Sequence, residues 1–262
     1  MIRLLPALPR GAATMAAACA LLLATALTGC ASDSVERVNI AAAADLRYAL
    51  DEIVSQLEAD NPDVDYAVTY GSSGQFLQQI VNGAPFDAYL SADRAYPDQL
   101  LDKGLASDPF TYAVGRLVLW VPDGSPLDPT RGLGILADAK RIAIANPEHA
   151  PYGRAAVAAM TAAGVYAQVE DRLVLGENVS QAAEFVMSGN ADAGIVALSL
   201  VLSDPMRDVG TWWEIPRDTF PRLEQAGVLL TDSPGARTLR DAVVGPEGRA
   251  ILARYGFEIP GE

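Results

Sequence analysis

The feature that most constrains the fold is a regular alternation of strand-like and helix-like segments that begins at residue 38. Short apolar runs suited to buried strands alternate with segments whose apolar residues recur at helical spacing. The predicted strands are residues 38–44, 64–70, 87–93, 112–122, 141–146, 172–178 and 193–198. The predicted helices are residues 45–60, 75–83, 97–103, 151–164 and 179–190, with a helix and a turn in 244–257. This order predicts an α/β fold with mostly parallel sheets, in which ligands bind at the carboxyl ends of strands.

The first 29 residues have the pattern of an export signal and are not expected to belong to the fold. Arg3 and Arg10 give a basic start, and residues 12–27 form an alanine-rich apolar run that is short for a membrane span. Residues 27–30, LTGC, resemble the lipobox of bacterial lipoproteins. That resemblance implies cleavage before Cys30 and a lipid on its thiol, with residues 30–35 as a tether. The alternative is an ordinary signal peptide with a chance cysteine.

Cysteine count and charge exclude several classes of protein. The other cysteine, Cys19, lies in the signal, so neither a disulfide framework nor a thiolate metal centre is expected. Cleavage removes Arg3 and Arg10 from the 19 basic residues, which leaves 17 against 33 acidic residues and a net charge of −16. Such a surface repels phosphates, so nucleic-acid binding is not expected.

Four strand-to-helix junctions carry small or helix-capping residues. They are Ala44-Asp45, Ser72-Ser73-Gly74, Pro151-Tyr152-Gly153 and Asn178-Val179. Helix N-termini present unpaired N–H groups, so several that converge can bind an anion without a basic side chain. Serine and tyrosine hydroxyls can add donors. Ordinary capping is the alternative, because Ser72-x-x-Gln75 fits a capping box and Asn178-x-x-Gln181 a looser one.

The serines of the second junction raise the possibility of a nucleophile. The sequence GSSG is not the G-x-S-x-G elbow of hydrolases, and neither serine begins an S-x-x-K motif. A serine triad would need His149, the one histidine of the chain, which lies in a polar loop typical of a solvated residue. We interpret Ser73 as a hydrogen-bond donor and the chain as not an enzyme. A hydrolase using Ser73 and His149 remains an alternative.

At these junctions the sequence resembles the molybdate-binding proteins of ABC importers, a class of type II periplasmic solute-binding proteins. The resemblance runs from about residue 38 to residue 257, nearly all of the chain after the signal. The matching segments are residues 41–46 (AAAADL), 70–93 (YGSSGQFLQQIVNGAPFDAYLSAD), 110–120, 144–156 (IANPEHAPYGRAA), 177–182, 191–198 and 245–257.

The resemblance implies two α/β lobes with a two-strand hinge that close on a tetrahedral oxyanion, molybdate or tungstate. Lobe I would comprise residues 36–113 and 222–262, and lobe II residues 114–221. The anion would be held by neutral donors, with no cofactor and no direct cation ligand. The site residues carried over are Ala44, Asp45, Ser73, Tyr152 and Val179. The protein would be an extracytoplasmic, lipid-anchored monomer that delivers its anion to the permease of an ABC importer.

Two positions depart from the family pattern. Some members have a tyrosine where Ala197 follows "GIV", so Tyr152 is expected to replace that donor. At Asp45, members often have serine or asparagine, which can donate, whereas an ionised carboxylate only accepts. A charge pair at 4 Å is worth roughly 4 kcal/mol at an effective dielectric near 20, and a dianion doubles this repulsion.

Three interpretations of Asp45 are open. The carboxylate caps its own helix, it is protonated in the closed site, or the ligand itself carries a proton, as hydrogen phosphate or hydrogen arsenate does. We favour the cap, because aspartate is among the best N-cap residues.

Other functions compete with molybdate binding. The ligand could be another oxyanion, such as phosphate, arsenate or sulfate. It could also be ferric iron, with Asp45 and Tyr152 as ligands. A receptor or adhesion lipoprotein with an empty cleft is a further alternative.

Overall fold

A computed structural model of the protein describes residues 35–261. The predicted export signal and Cys30 lie outside the described residues, as does the predicted tether except for Val35. Across the described part of the chain, none of the helices combines the length and the apolar character needed to span a bilayer.

The described chain alternates strands and helices. The strands are β1 (Glu36–Ala43), β2 (Val64–Gly71), β3 (Ala88–Ser91), β4 (Ser107–Gly115), β5 (Leu117–Pro122), β6 (Ile142–Ala145), β7 (Leu173–Gly176), β8 (Ala193–Ala197), β9 (Gly210–Glu214) and β10 (Leu223–Leu229). The α-helices are α1 (Arg47–Asp60), α2 (Ser73–Val81), α3 (Ala95–Asp102), α4 (Pro151–Ala162), α5 (Tyr166–Val169), α6 (Val179–Met187), α7 (Leu198–Val201), α8 (Pro234–Val244) and α9 (Pro246–Arg254). Short 3-10 helices lie at Ala44–Leu46, Pro129–Arg131, Leu133–Asp138, Glu170–Arg172 and Arg217–Thr219.

The strands form two five-stranded sheets. The first sheet has the order β2-β1-β3-β10-β4, and the second sheet has the order β7-β6-β8-β5-β9. In the first sheet β1 is parallel to β2 and β3, and β10 is antiparallel to β3 and β4. In the second sheet β6 is parallel to β7 and β8, and β5 is antiparallel to β8 and β9. The predicted α/β fold is confirmed, and each sheet is mixed, with one reversed strand.

The reversed strands are the two that the chain enters directly from the other sheet. The carboxyl ends of the parallel strands in both sheets face each other. A strand that leaves one sheet at this end therefore enters the other sheet against the direction of its neighbours. The sequence alternation could not show this reversal, because it records the order of strands and not their direction.

Two chain segments cross between the sheets. Strands β4 and β5 were expected as one extended run, and they are separated by Arg116 alone. Residues 215–222 join β9 to β10 on the way back. The guanidinium of Arg116 pairs with Glu214, which ties the first crossing segment to the end of β9, just before the second crossing segment.

Apolar side chains at helical or alternating spacing fill the core of each sheet. In α1, the predicted apolar face is buried, and Leu50 and Ile53 belong to one core cluster with Ile40 of β1. In the second sheet, Trp120 and Leu119 of β5 are fully buried. The strands β9 and β10, the helix α8 and the one-turn helices α5 and α7 were not predicted.

Candidate functional site

The loops that follow the parallel strands of both sheets meet at one cavity. The first sheet contributes the segments after β1, β2 and β3, and the second sheet contributes the segments after β6 and β7. The lining residues are Ala43, Ala44, Asp45, Gly71, Ser72, Ser73, Ala92, Ala150, Pro151, Tyr152, Asn178 and Val179. The structure thus brings together all five residues that the sequence singled out, which are Ala44, Asp45, Ser73, Tyr152 and Val179.

The cavity is small and has no basic side chain in its wall. The centre of a water molecule can occupy about 10 Å³ within it, which is close to the minimum for one water. Asp45 is the one carboxyl group among the lining residues. A ligand held here must be compact, and an anion must rely on neutral donors.

Three α-helices begin at the cavity wall, α2 at Ser73, α4 at Pro151 and α6 at Val179. The first N–H groups of a helix have no partner within it, and they carry a partial positive charge. At α6 the predicted cap is confirmed, because the side chain of Asn178 accepts from the N–H of Gln181 at 3.1 Å. The N–H groups ahead of that position remain for the cavity.

The hydroxyl of Ser73 is held in place by the segment after β3. The hydroxyl oxygen accepts from the N–H of Ala92 at 3.0 Å. The backbone carbonyl of Ser73 accepts from the phenol of Tyr89 at 2.7 Å. Ser73 is 1% exposed. Among the described residues, the N–H of Ala92 is the hydrogen-bond partner of this hydroxyl, and it occupies the oxygen. The hydroxyl proton can therefore be donated to a ligand.

Ser72 does not form the capping box that its sequence allows. It occupies the N-cap position of α2, but its side chain makes no capping hydrogen bond. Its hydroxyl instead donates to the carbonyl of His149 at 2.7 Å, and the Nδ1 of that histidine lies 2.9 Å from the same hydroxyl. Gln75 bonds to Glu177 at 2.7 Å.

The prediction of a solvated His149 is wrong. Its side chain is 20% exposed, and its ring contacts the hydroxyl of Ser72 on the opposite side of the cavity. The hydrolase alternative paired His149 with Ser73, but the ring contacts Ser72. In a triad the serine hydroxyl gives its proton to the histidine ring. Here the proton of Ser72 goes to a backbone carbonyl, so the arrangement joins two loops and does not activate a nucleophile.

The prediction that Asp45 caps its own helix is also wrong. Asp45 lies inside the 3-10 turn that precedes α1, and neither helix start has a side-chain cap. Its carboxylate is 1% exposed and accepts from the phenol of Tyr152 at 3.0 Å and from the amide of Gln225 at 2.5 Å. Burial raises the pKa of Asp45 to about 6, although the bonds from Gln225, Tyr152 and its own backbone N–H oppose the rise. The carboxyl reaches distant partners because the turn directs it into the core.

Tyr152 was expected to aim its phenol at the anion, and the structure directs that phenol to Asp45. Burial, together with the adjacent carboxylate, raises the pKa of Tyr152 well above its usual range, so the phenol keeps its proton. Tyr152 then offers its backbone N–H to the cavity.

Gln225 is a site-adjacent residue that the sequence reasoning missed. It lies on β10 and is fully buried, next to Asp45 and Tyr152. Gly115, where the chain leaves the first sheet, leaves space for this contact. A β-carbon there would lie 2.3 Å from the Tyr152 hydroxyl and 2.8 Å from the Gln225 amide. Gln225 has no local signal in the sequence, because it follows the charged Glu224 in a segment without a regular pattern.

Further hydrogen bonds join the two sides of the cavity. The hydroxyl of Ser180 donates to the carbonyl of Ala44 at 3.0 Å, and that of Ser199 donates to the carbonyl of Asp45 at 2.7 Å. At the rim, the guanidinium of Arg154 pairs with Asp93 at 2.7 Å. These contacts hold the site in a closed arrangement.

A cation site would need several anionic or imidazole ligands in one place. Residues 35–261 contain no group of three histidine, cysteine, aspartate or glutamate side chains that could hold a metal ion. Asp45 and Tyr152, the ligands considered for ferric iron, bond to each other.

Comparisons with known proteins agree with this fold. The family model for bacterial extracellular solute-binding proteins matches residues 38–258. The molybdate-binding protein ModA of Azotobacter vinelandii is 38% identical over 241 residues, which cover 90% of this chain and 94% of the relative. ModA of Rhodobacter capsulatus is 41% identical, with 73% of this chain and 77% of the relative covered. The solved periplasmic molybdate-binding protein of Azotobacter vinelandii superimposes with a TM-score of 0.78 at 30% identity, over 85% of this chain and 99% of that protein.

Proposed function

The chain belongs to the bacterial extracellular solute-binding proteins, and we propose that it captures molybdate outside the cytoplasm for an ABC importer. Tungstate, an oxyanion of the same shape and charge, is proposed as a second ligand. The anion would be bound by Ala44, Asp45, Ser73, Tyr152 and Val179, chiefly through backbone N–H groups and the hydroxyl of Ser73.

One observation carries this proposal: the five residues line a single cavity whose wall contains helix starts and the hydroxyl of Ser73 but no basic side chain. Helix N-termini that converge on one point favour a compact anion. Relatives with 38% and 41% identity are named as molybdate-binding proteins, which supports molybdate as that anion.

The remaining parts of the proposal rest on the sequence. The leader and the LTGC motif support export and attachment of a lipid to Cys30. The buried cavity has to open to admit its ligand, and the two crossing segments at Arg116 and residues 215–222 are the proposed hinge. Binding alone performs no chemistry, so delivery to a permease is the role that fits a monomeric carrier.

A second class of ligand is favoured by Asp45. An ionised, buried carboxylate next to the cavity accepts hydrogen bonds, so it would prefer an oxyanion that carries a proton. Hydrogen phosphate and hydrogen arsenate are such ligands.

Calorimetry of the chain from Ser32 onward distinguishes these ligands. The panel is molybdate, tungstate, sulfate, phosphate, arsenate and ferric citrate. The proposal expects tight binding of molybdate and tungstate, with sulfate silent. A preference for phosphate or arsenate would assign Asp45 to recognition of a proton on the ligand. Heat with ferric citrate alone would overturn the oxyanion proposal.

A further inference from the structure

The buried cluster formed by Asp45, Tyr152 and Gln225, called here the Asp45 cluster, has more acceptors than donors. The phenol proton of Tyr152 goes to Oδ2 of Asp45. The amide of Gln225 donates to the same Oδ2 and approaches the Tyr152 oxygen at 3.4 Å. Two oxygens, Oδ1 of Asp45 and Oε1 of Gln225, are buried without a hydrogen-bond partner. Because buried acceptors normally have partners, the cluster lacks a proton.

No cation in the described part of the chain compensates an ionised Asp45. The side chains that bond to its carboxylate are Tyr152 from α4 and Gln225 from β10, whereas the hydroxyl of Ser199 from α7 bonds to its backbone carbonyl. Tyr112 of β4 is the other titratable group close enough to sense its charge. The nearest cation along the chain, Arg47, stacks on the ring of Tyr70 at 4.8 Å.

A captured dianion makes an ionised Asp45 less favourable still. Asp45 is one of the residues of the cavity wall, so a dianion bound there would add negative charge close to its buried carboxylate. Like charges at short range favour the protonated form of a carboxyl group, and burial acts in the same direction. A proton on Asp45 removes the repulsion and turns one unpartnered oxygen into a donor.

We propose that Asp45 is the proton-carrying residue of the anion site, that Gln225 is the residue that positions it, and that capture of a dianion takes up one proton. This inference rests on the proposed function. When the cleft closes, a proton from solvent adds to the carboxylate of Asp45, and it returns to solvent when the cleft opens. No other bond forms or breaks.

The consequence is a site that selects fully deprotonated oxyanions. With Asp45 neutral, the wall offers donors and presents no negative charge, so a ligand with proton-free oxygens satisfies it best. Capture is then linked to pH. Affinity decreases as pH rises above the pKa of Asp45 in the free protein, and it levels off above the higher pKa of Asp45 in the complex. The limiting slope is tenfold per pH unit for one proton.

The test is calorimetry of the chain from Ser32 onward with molybdate, repeated between pH 5.5 and 8.5 in buffers of different ionisation enthalpy. The dependence of the heat on the buffer counts the protons taken up. Asp45→Asn keeps the shape of the side chain but cannot take up or release a proton. Asp63→Asn, at an exposed position, is the matched control. We expect uptake approaching one proton per anion in the wild type and in Asp63→Asn. We expect none in Asp45→Asn, whose affinity at pH 8.5 equals or exceeds that of the wild type.

The positioning role of Gln225 has its own readout. Its hydrogen bond favours the ionised carboxylate, so Gln225→Met should move the midpoint of the pH dependence to higher pH, whereas a merely structural role would leave the midpoint in place. Tyr152→Phe removes the other side-chain bond and should shift the midpoint in the same direction, which covers the case in which Gln225→Met does not fold.

The outcomes are separable. Binding of molybdate with no proton uptake, and with the same pH profile in Asp45→Asn, would overturn the inference and leave the proposed function intact. If molybdate gives no heat at any pH, the proposed ligand is wrong, and the proton count is made with whichever oxyanion of the panel binds. If none binds, both proposals fail.

Discussion

The backbone N–H of Gly74 donates to the carbonyl oxygen of His149 at 2.9 Å, which joins the start of α2 to the loop after β6. The two residues belong to opposite sides of the cavity. A β-carbon at position 74 would lie 2.5 Å from that oxygen and 2.9 Å from the hydroxyl of Tyr96. The closed arrangement therefore depends on the absence of a side chain at this position.

Gly74→Ala should weaken anion binding by at least tenfold while leaving the fold intact. The added methyl group has to push the His149 loop away, and that displacement opens the cavity on the side of Ser73. Calorimetry with molybdate and circular dichroism measure the two effects. Gly134→Ala is the control, because a β-carbon there meets nothing within 4 Å. Unchanged affinity in Gly74→Ala would show that the Gly74–His149 contact is not needed to hold the ligand.

The ion pair between Arg154 and Asp93 should slow release of the ligand. The pair joins the rims of the cavity, and both side chains are partly exposed, so its contribution is about 1 kcal/mol, or roughly fivefold in the dissociation rate. Arg154→Gln and Asp93→Asn should each accelerate dissociation in stopped-flow experiments, and the double variant should be no faster than either single variant. The exposed pair of Arg37 and Asp65 joins two strands of the first sheet, so Arg37→Gln should change nothing. Additive effects of the two rim substitutions would contradict a role of this ion pair in slowing release.

The sequence predicted which residues meet at the cavity where the signal was local. Ser73, Tyr152 and Val179 each lie at the junction of a strand and a helix, and such junctions are visible as a change from apolar runs to helical spacing. Parallel strands bring their carboxyl ends to one edge, so the five predicted residues meet without any knowledge of side-chain contacts.

The sequence could not predict the partners of Asp45. Gln225 is 180 residues away on a strand that was not recognised, because β10 shows no alternation of polar and apolar residues. Aspartate before a helix usually caps it, and only the tertiary structure shows that Ala44–Leu46 forms a separate turn that directs the carboxyl inward. His149 was misread for the same reason, since its partner Ser72 lies 77 positions away.

Ser73→Ala should weaken molybdate binding by about 1–3 kcal/mol, because it removes a hydroxyl donor from a buried site. The change also leaves the buried N–H of Ala92 unpaired, so the ligand-free variant should lose some folding stability as well. Ser55→Ala, on the exposed face of α1, is the matched control. Calorimetry gives the affinities, and thermal unfolding checks that the ligand-free variants remain folded. Affinity equal to the wild type would remove Ser73 from the proposed site.

Asp45→Asn should stabilise the ligand-free protein at pH 7.5, and the gain should disappear as the pH falls towards 4. In the described conformation burial raises the pKa of Asp45 from 3.8 to about 6. Below about pH 4 the carboxyl is neutral in both folded and unfolded chains, so its charge imposes no penalty. Between pH 4 and 6 the unfolded chain ionises first, and above pH 6 the folded protein carries the full penalty of about 3 kcal/mol. Urea unfolding of the wild type and Asp45→Asn across this range measures the difference, with Asp63→Asn as the control.

A variant that is no more stable at pH 7.5 would mean that the carboxylate of Asp45 is hydrated in the ligand-free protein. The cleft would then be open before the anion arrives, and the pKa of Asp45 would rise only when the cleft closes on the anion.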